Sequence, residues 1–156
     1  MAKGYTFAIV SMLIALIYAT LPIATASLFS IDPMVLLFIC WCFFNPSSPP
    51  PLLVAWSLGL VQDLLMGSVF GVHAFSLSIT VYMILKLFHR MQFFALWQQV
   101  LCVGCLTLVN QLMLALFAGF QGHFANIFIV ISPAVMTMSI WLILGYAIVH
   151  TQGSLP

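Results

Sequence analysis

Asp63 is one of only two acidic residues in a chain of 156, and it stands in a register of glycines. Gly59, Asp63, Gly67 and Gly71 follow one another every four residues, which on a helix makes a single face carrying almost nothing but one carboxylate. An ionised acid in mid-membrane costs roughly 2.5 to 3.5 kcal/mol or more, so it faces a bundle interior, a partner or water. Three roles fit: a catalytic or transport acid, a polar anchor that organises a bundle or pocket, or an acid near the interface reached by water. The glycines favour packing, because Gly59, Gly67 and Gly71 would admit a neighbouring backbone, and Gly67 and Gly71 form a plain G-x-x-x-G. On that reading Gly67→Leu or Gly71→Leu damages assembly more than Gly122→Leu.

The remaining reactive side chains give weaker patterns. Cys102-Val-Gly-Cys105 has thioredoxin-type spacing, and Cys40 and Cys42 form a second close pair. Both pairs fall within apolar segments, where thiols behave as small hydrophobes, so redox chemistry is disfavoured. His73, His89, His123 and His150 are scattered, without H-E-x-x-H or a close Cys/His cluster, and no metal or cofactor is expected. No nucleophile elbow, phosphate loop or carboxylate pair is present either. Asn110 and Gln111 form an amide pair in mid-segment that needs partners, expected on another helix. Lys86 and Arg90 lie four apart on one face and are expected to snorkel toward cytoplasmic phosphates.

The elements that must position these groups are set by composition. Hydrophobic residues make up 65% of the chain and charged residues 3%, against about 25% charged in soluble domains. With a mean hydropathy of +1.26, the chain reads as an integral membrane protein with a single membrane domain over 1–156. A net charge of +1 provides no basic surface for nucleic acid. Apolar periodicity and punctuation predict an all-α bundle of six transmembrane helices, near 5–21, 34–45, 52–66, 73–88, 98–118 and 127–149. The first could instead be a cleaved leader ending near Ala24-Thr25-Ala26, but the apolar run is longer than a typical signal core of about 7 to 15 residues. Pro33 suits the first turn of the second helix, and the proline-rich stretch from Pro46 to Pro51 forces a turn. Residues 93–99 could lie along the interface as an amphipathic start to the fifth helix, and Pro133 marks a kink or the start of the buried part of the last.

Orientation follows from few charges. A cytoplasmic amino terminus with six spans places Lys3, Lys86 and Arg90 inside and Asp32 outside, with both termini cytoplasmic. Trp41, Trp56 and Trp97 then lie toward the cytoplasmic interface.

The pattern Gly59-x-x-x-Asp63-x-x-x-Gly67-x-x-x-Gly71-x-x-Ala74, followed after a basic turn by Ala95-Leu96-Trp97-Gln98-Gln99, resembles the bacterial rod shape-determining MreD family. Pro33 before a helix containing Leu36, Leu37 and Trp41, with Pro46 after it, is similar as well. Departures are Ser47-Ser48 and the stretch from His150 to Pro156 where relatives are basic, and Trp141-Leu142-Ile143 where some have Trp-Pro-Trp. The resemblance implies a non-enzymatic inner-membrane subunit of the cell-elongation machinery. Its partners would be MreC and, indirectly, MreB, RodA and a penicillin-binding protein of peptidoglycan synthesis, within membrane lipids. It also implies a fold similar to the substrate-binding subunits of energy-coupling-factor transporters. That similarity supplies the alternative, a small-molecule or lipid-binding subunit of a transporter. The residues expected to serve packing or partner binding are Gly59, Asp63, Gly67, Gly71, His73, Asn110 and Gln111.

Overall fold

A computed structural model describes Leu13, Ile17 and residues 32–44, 49–122 and 126–152. It is all-helical, with five helices: α1 (Pro33–Phe44), α2 (Leu52–Met66), α3 (Val72–Met91), α4 (Leu96–Phe120) and α5 (Ile127–Gln152). Five helices correct the expectation of six for the described residues; the predicted first span, 5–21, lies outside them except for Leu13 and Ile17, both helical. The proposed leader site at Ala24 also lies outside them.

Among the described residues, three helices are long and apolar enough to cross a membrane: Val72–Met91, Leu96–Phe120 and Ile127–Tyr146. At about 1.5 Å per residue, the 20 residues of α3 match a hydrocarbon core of about 30 Å, whereas the 12 of α1 and the 15 of α2 do not.

Short connections turn α3, α4 and α5 each back along its predecessor, so α2 packs on α3, α3 on α4 and α4 on α5. α1 touches α3, α4 and α5. Its sequence is apolar on every side, as a helix enclosed by others requires, and Val35, Phe38, Ile39 and Cys42 are fully buried. Around it the core is completed by Leu77, Val81, Ile84 and Phe88 of α3, Val103 and Leu106 of α4, and Trp141 of α5. Phe43 meets Phe88 and Trp141 edge-on, at centroid distances of 5.6 and 5.0 Å.

Several boundaries differ from the sequence reading for identifiable reasons. α3 continues through His89-Arg90-Met91, because basic residues complement the negative end of a helix and need not leave it. Residues 93–99 do not form one amphipathic stretch: a turn ends at Ala95, and Gln98 and Gln99 fasten it. Gln98 Oε1 accepts from the Ala95 amide at 3.2 Å, and Gln99 Nε2 donates to the carbonyls of Met91 and Phe94 at 3.2 and 3.1 Å. α5 begins before Pro133 and runs through it, and its burial starts there: residues 127–132 are exposed or half-buried, whereas Pro133 and Ala134 are buried, so the proline marks the start of the buried part.

α4 and α5 approach closely at glycines that the sequence reading did not single out. A Cβ on Gly104 would lie 2.5 Å from the Met138 side chain, and one on Gly145 would lie 2.6 Å from that of Leu96.

Candidate functional site

Both acids of the chain are buried at one end of the bundle, each in its own hydrogen-bonded cluster. The first cluster is the α2–α3 turn. α2 ends where Gly67 adopts φ 63°, and α3 begins after Gly71 at φ 96°, left-handed conformations that L side chains resist. Because Gly71 has no side chain, it cannot cap the amides it precedes; Asp63, from the last turn of α2, does so instead. Its Oδ2 accepts from the Gly71 amide at 2.8 Å and the Ala74 amide at 3.4 Å, while Oδ1 accepts from the His73 amide at 3.0 Å. Oδ1 also accepts from the Ser68 hydroxyl and from His73 Nδ1, both at 2.8 Å. A carboxylate here satisfies first-turn N–H groups and complements the positive end of α3.

The glycines therefore divide into two kinds. A Cβ on Gly59 would lie 2.3 Å from the Cα of Ala74 and 2.6 Å from its nitrogen, so α2 and α3 touch backbone to backbone there. Ala55, Gly59 and Asp63 form the buried stripe of α2. Gly67 and Gly71 have nothing within 4 Å of an added Cβ, which corrects the expectation that they pack helices: they lie beyond the end of α2 and serve the turn. Gly122 shares their positive φ and open surroundings, so the expected contrast between Gly67 or Gly71 and Gly122 loses its packing basis.

The second cluster spans three elements. Asp32 stands immediately before α1 and is buried, where the sequence reading placed it in an outer polar loop. Its Oδ1 caps α1 through the Val35 amide at 3.4 Å. Oδ2 accepts from Asn110 Nδ2 at 2.6 Å and from Gln111 Nε2 at 3.2 Å, both on α4. Asn110 Oδ1 in turn accepts from the Ser76 hydroxyl at 2.6 Å and the Thr80 hydroxyl at 3.4 Å, on α3. The partners expected for the amide pair are thus Asp32 and two hydroxyls of α3. Ser68, Ser76 and Thr80 do not stand out in the sequence, and Asp32 enters it only as an outer charge; a hydroxyl five residues after Asp63 in the glycine turn is a usable signal for Ser68, whereas nothing local pairs residue 32 with 110.

Chemically, these groups bind one another. Ser68, His73 and Asp63 assemble the side chains of a nucleophilic triad, but Asp63 and Ser68 both address Nδ1, the latter at 3.4 Å, whereas a triad needs them on opposite ring nitrogens. Cys40 and Cys42 lie in α1, and Cys102 and Cys105 in α4, all as free thiols. Among the described residues, no three His, Cys, Asp or Glu side chains converge on a metal position.

A chain whose described residues form an all-helical bundle with three membrane-length helices is a multi-pass membrane protein. Its family follows from comparison: the chain belongs to the MreD family, whose model, described as rod shape-determining protein MreD, matches residues 1–151. The rod shape-determining protein MreD of Haemophilus influenzae is 34% identical over 85 residues, covering 53% of this chain and 51% of that protein. The match thus spans about half the length of that curated relative. No solved structure matches the chain.

Proposed function

We propose that this protein is a non-enzymatic subunit of the bacterial cell-elongation machinery, which maintains rod shape by binding MreC and so supports peptidoglycan synthesis. The observation that carries this reading is the family match across nearly the whole chain. MreB, RodA and a penicillin-binding protein are reached indirectly through MreC. The setting is the inner membrane, with both termini cytoplasmic. The clusters favour a scaffold over the transporter alternative, because Asp63 and Asn110 are engaged by neighbouring groups of the same chain.

Co-expression with MreC and purification in detergent tests the reading. The two proteins should copurify, and Asp63→Ala should weaken that complex and rod maintenance. Separate elution of the wild-type proteins, or normal rods without this chain, would overturn it.

A further inference from the structure

Among the described residues, the charged side chains are segregated along the bundle. Asp63 and its ring partner His73 sit at the start of α3, and Asp32 is tied through Asn110 to Ser76, one turn further on. Lys86 and Arg90 lie at the other end of α3, about 20 and 25 Å from His73 at 1.5 Å per residue. Among the described residues, His73–Asp63 is the only ion pair, so neither cation has a carboxylate within reach. Both are exposed, as is His89 between them. Lys86 lies over the Tyr82 ring, 5.9 Å from its centroid, and the same end exposes Phe93 at 89% and Trp97 at 64%.

We infer that Lys86 and Arg90 form a binding site for the phosphate of an anionic phospholipid, whose acyl chains lie against Tyr82, Phe93 and Trp97. α3 has the length of the hydrocarbon core, so its last turn comes to headgroup depth, where Lys and Arg extend their charge toward phosphate. Cations at positions 86 and 90 share one face of the helix, and the aromatic residues at its end suit the boundary between headgroup and acyl chain. The counter-charge that the described part of the chain does not provide is supplied by the lipid. This site is independent of the role assigned to the family.

The test uses the full chain in neutral detergent with dioleoyl phosphatidylglycerol, dioleoyl phosphatidylcholine or inorganic phosphate, reading retained adducts by native mass spectrometry. The wild type should retain phosphatidylglycerol in preference to phosphatidylcholine. Lys86→Gln with Arg90→Gln should lower that retention roughly 30-fold, from the usual contribution of each basic residue at an anionic surface. The charge-conserving pair Lys86→Arg with Arg90→Lys should keep it. If the double Gln variant does not fold, each single Gln variant should lose about fivefold. Equal retention of the two lipids, unchanged phosphatidylglycerol binding in the Gln variants, or displacement of the lipid by millimolar inorganic phosphate would overturn the inference. So would Gln variants that keep the lipid but lose MreC, which would assign the patch to an acidic protein segment.

Discussion

The two acids show two ways to keep a carboxylate inside an apolar bundle. Asp63 draws every bond from within eleven residues, using both oxygens to gather three backbone amides, a hydroxyl and an imidazole around one turn. Asp32 reaches 78 residues along the chain to Asn110, and loads one oxygen with two side-chain amides while the other meets a single amide at 3.4 Å. The first is a local clamp that builds a helical hairpin. The second is a long-range tie joining the start of α1 to α3 and α4. Backbone amides cannot move away from the clamp without unwinding α3, whereas the side-chain amides of the tie can rotate.

That difference orders the expected losses of stability, each read as the temperature at which monodisperse protein disappears on gel filtration in detergent. Asp63→Ala should be the most damaging, by about 4 kcal/mol, because several buried donors lose their acceptor together. Gly59→Leu should follow at about 3 kcal/mol, since a side chain there meets the Ala74 backbone and forces α2 from α3. Asn110→Ala should cost about 2 kcal/mol by stripping a donor from Asp32 and an acceptor from Ser76. Gly67→Ala should cost only about 1 kcal/mol, the penalty of left-handed backbone without a clash. A Gly67→Ala loss equal to that of Gly59→Leu would restore Gly67 as a packing position and blur the distinction between turn and contact.

The clamp was legible in sequence because it is local. The four-residue register announced Asp63 and its glycines, and composition announced a membrane bundle. What the register could not show is where the helix stops: Gly67 and Gly71 fit a continued helix face as well as a turn, and only the left-handed backbone separates the two. The tie was half legible. Asn110 and Gln111 demanded partners, but an acid just before a proline-initiated helix reads as a loop residue until the fold brings α4 against it. Helix contacts such as Gly104 with Met138 depend on packing between segments and leave no periodic mark. The Gln98 and Gln99 pair stood out by resemblance, and its physical role, fastening the α3–α4 turn, emerged from the hydrogen bonds.

Replacing each acid by its amide tests the distinction between clamp and tie most directly. Asparagine has one acceptor oxygen. At position 32 that oxygen can take the place of Oδ2 and keep both side-chain amides, leaving the new NH2 against only the Val35 amide, whose bond is long at 3.4 Å, whereas at position 63 the NH2 must face at least two donors whichever way it points. Measured side by side in detergent, Asp63→Asn should lose about 2 kcal/mol and Asp32→Asn less than about 1 kcal/mol. Equal losses, or a larger loss at position 32, would contradict the account.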